Sequence, residues 1–351
     1  MAQSVLLQRL GLEHPIIQAP MSGVSTPKLA AAVSNAGGIG ALGLANLSLD
    51  GIRDQIRATR AQTNKAFVAN LFCYERPAPD AARAASLQAR VETYLRELPP
   101  APGSPPPLPP DYRDQLAVLI DERVPVFSCT FGAPPREIVA RLKAHGSFTI
   151  GTATTVAEAA YLESIGMDAV VAQGAEAGGH RGTFMGAMDD ALIGTMALVP
   201  MIVDAVRIPV IAAGGIMDGR GVAAALLLGA EAVQMGTAFL TCPEVELAPA
   251  YLDTLLNRHT MGTTISRAYT GREARFVKNS YVREMQTRLD EVPPYPYAIP
   301  ITGPLRFRAK DRPELFPMLA GQGYPMVKAR LAAELVREFA SEAAALLARG
   351  R

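Results

Sequence analysis

The sequence has almost no excess charge of either sign: 34 lysines and arginines stand against 33 aspartates and glutamates, a formal net charge of +1. Nucleic acid and anionic membranes are held by surplus positive charge. This balance therefore excludes both as main partners and favours a small, locally recognised ligand. Cysteine is scarce. Cys73, Cys129 and Cys242 are odd in number, far apart and free of any CxxC pattern, which excludes a disulfide framework and fits a reducing cytoplasm. Unbroken apolar runs are missing as well. The longest stretch, Ala223–Leu240, is interrupted by Gly229, Glu231, Gln234 and Gly236, whereas a membrane span needs roughly 20 nearly continuous apolar residues. The N-terminal MAQSVLLQRLGLEHP has no basic start followed by an apolar run, so no signal peptide is expected and the expected location is the cytoplasm. Histidine is also rare, with four in the chain: His14, His145, His180 and His259.

What is present is material for a large core. Hydrophobic residues make up 49% of the 351 and charged residues 19%, which excludes disorder and a fibrous repeat. Short apolar runs recur at Pro15–Met21, Ile39–Leu44, Ala66–Phe72, Val124–Phe131, Phe148–Ala153, Ala169–Gln173, Pro209–Gly214 and Ala232–Leu240. They show almost no polar alternation, as expected of parallel strands buried on both faces. Segments of helical periodicity lie between them, among them Thr26–Asn35, Leu49–Arg60, Pro135–Ala144, Val156–Ser164 and Gly219–Leu228. Ser25-Thr26-Pro27 opens the first of these and Gly37-Gly38 follows it, the usual order of helix start and stop signals. Eight strands alternating with helices over about 240 residues is the size of a (β/α)8 TIM barrel. A doubly wound sheet stays open as the alternative, because periodicity does not say whether a sheet closes.

Two stretches break the rhythm. Leu98–Asp111 holds eight prolines and reads as a polyproline surface excursion between the third and fourth strands, a spacer. Thr241–Tyr324, rich in Tyr, Arg and Pro, reads as a smaller, mainly helical cap laid over one end of the barrel. Met326–Leu347 reads as an amphipathic helix that returns to pack on it. The expected division is a barrel at 1–240, completed by 326–351, with a substrate-covering domain inserted at 241–325.

Ligands of such barrels bind at the C-terminal ends of the strands, with phosphate groups often after strands seven and eight. The seventh run ends in Ala212-Ala213-Gly214-Gly215 and the eighth carries Gln234-Met235-Gly236-Thr237. Glycines let backbone N–H groups approach an anion closely, so a phosphate-bearing ligand is expected there. The sixth run ends at Gln173 and leads into Gly174-Ala175-Glu176-Ala177-Gly178-Gly179-His180-Arg181-Gly182-Thr183. His180 alone among the histidines lies in a glycine-rich loop directly after a strand, where a side chain can face a ligand. Glu176 is a weaker acid/base candidate, and no second His, Cys or carboxylate stands at ligand spacing, so no metal is expected. Ala19, Pro20 and Met21 at the end of the first run leave room for a flat ring system. Asn70 and Gln173 are amides able to bond a heterocycle without charge, or equally to satisfy buried backbone groups. Cys73 reads as core or pocket wall.

Taken together these residues resemble a known family. The strings QAPMSGVSTPKLAAAVSNAGGIGALG, VVAQGAEAGGHRGTF, PVIAAGGIMDGRGVAAALLLGAEAVQMGTAFL and YTGREARFVKN are similar to nitronate monooxygenases, formerly called 2-nitropropane dioxygenases. The AQGAEAGGHRG block is the most specific part. The resemblance implies an FMN-dependent TIM barrel that oxidises alkyl nitronates, such as propionate 3-nitronate, and neutral nitroalkanes with dioxygen to carbonyl compounds and nitrite. It puts FMN against Ala19, Pro20 and Met21, with Asn70 and Gln173 near the ring. It has Gly178, Gly179, Gly214, Gly215, Gln234, Met235, Gly236 and Thr237 binding the cofactor through backbone and short side chains, and it makes His180 catalytic. Some relatives carry a histidine where Thr130 stands. Histidine suits proton removal from a neutral nitroalkane, since its ordinary pKa is about 6.5. Tyr295, Tyr297 and Lys310 are candidates for the substrate end, or for surface packing. Two other readings stand beside this one: a related FMN barrel that reduces a quinone or an enoyl thioester with NAD(P)H, and a non-catalytic flavin- or phosphate-binding barrel. On each of them the chain is a monomer or a small homo-oligomer.

Overall fold

A computed structural model describes residues 4–100, 106–257 and 260–349. His259 and the middle of the proline segment therefore lie outside the described residues. The strands run in chain order as β1 (Ile16–Gln18), β2 (Gly40–Gly43), β3 (Phe67–Phe72), β4 (Val126–Thr130), β5 (Phe148–Ala153) and β6 (Ala169–Gln173), then the two-residue β7 (Gly179–His180), then β8 (Val210–Ala213), β9 (Ala232–Met235), β10 (Thr263–Ser266) and β11 (Ala274–Val277). Eight of them form one parallel sheet in the order β1-β9-β8-β6-β5-β4-β3-β2, and a parallel bridge from Ile17 to Ile39 joins its two ends. The sheet closes. The architecture is a (β/α)8 barrel, and β8 and β9 are its seventh and eighth strands.

Each barrel strand is buried on both faces, which is why its sequence shows no alternation. Ile17, Ile39, Val68, Val126, Ile150, Val171 and Ile211 point into the barrel, while their neighbours Ile16, Phe67, Phe127 and Val170 pack outward against the helices. Leu6, from the helix Val5–Leu10, joins the inner cluster. Polar caps start the helices: the Thr26 hydroxyl accepts from Leu29 N at 3.0 Å before Pro27, and the Asp218 carboxylate accepts from Arg220 N and Gly221 N. Such caps satisfy otherwise unpaired N–H groups. The helix Ala332–Arg349 lies on Gly219–Leu227 and Pro27–Asn35, with Leu335, Val336 and Phe339 buried.

Two differences from the expected elements have clear causes. The eighth strand stops at Met235 and is followed by a 3-10 turn, Thr237–Phe239. Ala238, Phe239 and Leu240 are apolar because they are buried, and apolar continuity does not separate a strand from a buried turn. The second difference is that the segment beyond the barrel includes β10 and β11, which pair antiparallel, and β7 from the barrel loop adds to β11 through Ala274–His180 and Arg275–Gly179. Around this three-stranded sheet a second hydrophobic cluster unites Tyr269, Phe276, Tyr281, Val282, Met285 and Leu305 with Leu87, Val91 and Leu98. The last three come from the excursion between β3 and β4, whose helix Ala81–Leu95 packs on the helix Ile299–Arg308. Arg308 ties the two together by donating to the carbonyls of Leu95, Leu98 and Pro99.

Candidate active site

The C-terminal ends of the barrel strands open into a cavity of ≈ 840 Å³. Its walls carry Ala19, Pro20 and Met21 after β1, Asn70 on β3, Gln173 on β6, Gly178, Gly179 and His180 in the loop beyond, Gly214 and Gly215 after β8, and Gln234, Met235, Gly236 and Thr237 from β9 onward. Residues selected from five separate strand ends thus face one space. Two glycines show why no larger residue stands there. Gly215 has φ +73°, a left-handed conformation that favours glycine. A Cβ on Gly178 would lie 2.4 Å from Gly321 N, where the returning segment crosses the cradle and Gly321 N donates to Thr237 Oγ1 at 3.0 Å. The bare backbone and short side chains at this end suit a phosphate held by N–H donors.

His180 lines the same cavity. Three aromatic rings surround its imidazole, with centroids at 5.4 Å for Phe131, 5.8 Å for Phe72 and 6.0 Å for Tyr295. Its Nε2 lies 2.9 Å from Thr270 Oγ1. Burial first, and the Arg272 guanidinium second, lower its pKa to about 3. The ring is therefore neutral at pH 7, well away from the near-neutral titration expected of an ordinary histidine, because the pocket withholds the water that would solvate the cation. The Arg272 guanidinium carbon lies 3.9 Å from the centroid of the Phe131 ring, and Arg272 donates to Thr183 O at 2.5 Å. Phe131 itself takes φ +73°, an uncommon conformation for a bulky residue that turns its ring toward His180 at the end of β4.

Comparison with known proteins bears on this geometry. The family model for nitronate monooxygenase matches residues 3–342. The chain belongs to the nitronate monooxygenase family. With that it is an oxidoreductase. A nitronate monooxygenase of Paraburkholderia phytofirmans is 42% identical over 348 residues, 96% of this chain and 94% of that protein. Among solved structures, nitroalkane oxidase from Streptomyces ansochromogenes superposes with a TM-score of 0.90 at 39% identity, covering 99% of this chain and 100% of the other. FabK from Thermotoga maritima superposes with a TM-score of 0.78 at 29% identity, over 100% and 99% of the two chains.

Within this nitronate monooxygenase framework the remaining candidates divide. Asn70 donates to Ser128 Oγ at 2.8 Å and Thr130 Oγ1 at 3.4 Å, so Thr130 orients an amide on the cavity wall. Gln173 both donates to His180 O at 3.0 Å and accepts from Gly182 N at 2.8 Å. It clamps the histidine loop to the end of β6. Glu176 serves the scaffold: its carboxylate accepts from Thr195 N and Thr195 Oγ1, each at 2.9 Å, at the start of the helix Thr195–Ala205. Tyr295 and Lys310 line the cavity, whereas the Tyr297 hydroxyl donates to Pro77 O at 2.9 Å. Cys73 is buried outside the cavity wall beside Cys129, and burial pushes its thiol pKa well up. Sequence reasoning passed over Phe131, Thr270, Arg272 and the wholly buried Arg181, which donates to the carbonyls of Gly174, Gln173 and Ala191. The GGHRG and YTGR strings hold three of these four, but no spacing rule says that an arginine in a loop faces inward. Among the described residues, no group of three or more His, Cys, Asp or Glu is placed to hold a metal ion, and no helix is long and apolar enough to cross a membrane.

Proposed function

We propose that the chain binds FMN across the barrel strand ends and oxidises alkyl nitronates, propionate 3-nitronate among them, and neutral nitroalkanes, with dioxygen to carbonyl compounds and nitrite. The observation that carries this reading is a neutral imidazole ringed by aromatic side chains in a cavity that is also lined by glycines at the ends of β6, β8 and β9. The cradle suits FMN: Gly214, Gly215, Gly236 and Thr237 would hold the phosphate, Gly178, Gly179, Gln234 and Met235 the sugar-phosphate chain, and Ala19, Pro20, Met21, Asn70 and Gln173 would border the ring. Flavin bound there would supply the electron acceptor for the nitronate and the site of reaction with dioxygen. Residues 241–325, together with the helix Ala81–Leu95, would cover the substrate. Two nitronate anions and one O2 balance to two carbonyl compounds and two nitrite ions.

His180 takes the proton from the carbon next to the nitro group of a neutral nitroalkane. As that proton leaves, negative charge builds on the nitro oxygens beside the imidazole, and the resulting ion pair offsets the burial that otherwise keeps His180 neutral. Phe72, Phe131 and Tyr295 exclude water from the pair. A preformed nitronate has already lost this proton. A positioned general base contributes ~10²–10⁴-fold, so His180→Asn should lose about that factor with neutral nitroethane and much less with ethyl nitronate. Oxygen consumption with both substrate forms, at matched flavin content, is the measurement. Equal losses on the two would make His180 a binding residue. Full reduction of the anaerobic protein by NADH, with no response to nitronate, would move the chain to the reductase reading.

A further inference from the structure

Thr270 sits where it decides which nitrogen of His180 is free. The antiparallel pairing of β7 with β11 sets His180 opposite Ala274, and the turn just before β11 carries Thr270 over the imidazole, with Thr270 Oγ1 2.9 Å from His180 Nε2. The same hydroxyl lies 3.1 Å from Arg272 O and 3.4 Å from Arg272 N. A threonine hydroxyl has one proton and two acceptor positions. Its proton goes to the Arg272 carbonyl, which can only accept, and its lone pairs receive the Arg272 N–H and the imidazole. His180 must then donate from Nε2. The turn is held in place from outside, since Tyr295 N donates to Gly271 O at 3.2 Å, and a Cβ on Gly271 would lie 2.3 Å from Pro293 O. Among the described residues nothing hydrogen-bonds Nδ1.

From this geometry we infer that Thr270 is a positioning residue that locks His180 as the Nε2–H tautomer, so that Nδ1 carries the lone pair left free to take a proton. The partner of a histidine's second nitrogen sets the tautomer in the same way at other sites. A wrong tautomer withdraws the lone pair from the reacting proton and can cost up to ~10⁴-fold. The tautomer stands on the hydrogen-bond pattern alone; its kinetic consequence rests on the reading of His180 as the base.

The test begins with spectroscopy. Holoenzyme labelled with ¹⁵N-histidine, examined at pH 7 by long-range ¹H–¹⁵N correlation, with His180 signals identified by their loss in H180N, should show a protonated Nε2 and a pyridine-like Nδ1. T270S should keep that pattern, and T270V should lose it for a mixture or for the Nδ1–H form. An Nδ1–H pattern in the parent, or an unchanged tautomer in T270V, overturns the inference. Should T270V not fold, the parent spectrum decides alone. Kinetics then separate the two layers. T270V should lose about ten-fold or more on nitroethane, within the ~10²–10⁴-fold that a base contributes, with little loss on ethyl nitronate, and T270S should recover the rate. The expected spectra without that substrate difference would uphold the tautomer and sink the base.

Discussion

His180 owes its protonation state to its neighbours. Burial among Phe72, Phe131 and Tyr295 is the larger cause of its low pKa, and the positive charge of Arg272 adds to it. A cation beside an imidazole disfavours the imidazolium, so removing that charge raises the pKa, and a base is lost once it is protonated. Arg272→Met should therefore move the acid limb of kcat/KM for nitroethane to higher pH, while Arg272→Lys, which keeps the charge, should leave it near the parent position. A limb that stays put in Arg272→Met would assign the low pKa to burial alone. The position of His180 in a glycine-rich loop was legible from the sequence. Its pKa was not, since that depends on rings from β3, β4 and residue 295, which meet only in the folded chain.

At the scale of single elements, the strand ends follow their sequence closely, and loops do the chemistry that strands position. The Gly214-Gly215 turn after β8 is the clearest case, with both residues at positive φ. Gly215→Asp would add backbone strain at φ +73° and set a second carboxylate beside Glu176, whose Cβ lies 3.4 Å from a Cβ built at this position. On the proposed phosphate site, the variant should purify with far less flavin per protein than the parent, at unchanged far-UV circular dichroism. Normal flavin content would put the phosphate elsewhere. β7 marks what single-element reasoning misses. Two residues with glycine beside histidine carry no strand signal, and they pair only because β11, nearly a hundred residues later, offers an edge.

For the whole molecule, the last helix is a closing element. Phe339 is buried between Ala332–Arg349 and the barrel helices, so Phe339→Ala should cost about 3–5 kcal/mol, the range for removing a buried phenyl ring. A lower urea midpoint with unchanged slope is the expected result. An unchanged midpoint would mean that the helix adds no stability to the barrel.

The sequence by itself determined the alternation of strands and helices, the both-face burial of the strands and the strand ends that line the cavity. These depend on neighbours within a few residues and on the fixed geometry of a parallel sheet. Tertiary structure alone decided that the sheet closes through Ile17 and Ile39. It also decided that the connection between β3 and β4 lends Leu87 and Val91, from the helix Ala81–Leu95, and Leu98 to the cap core, and that His180 meets Thr270 and Arg272. Each of those contacts joins residues far apart in the chain. No local pattern encodes such contacts, because the free energy that selects them comes from burying surfaces that exist only once both partners have folded.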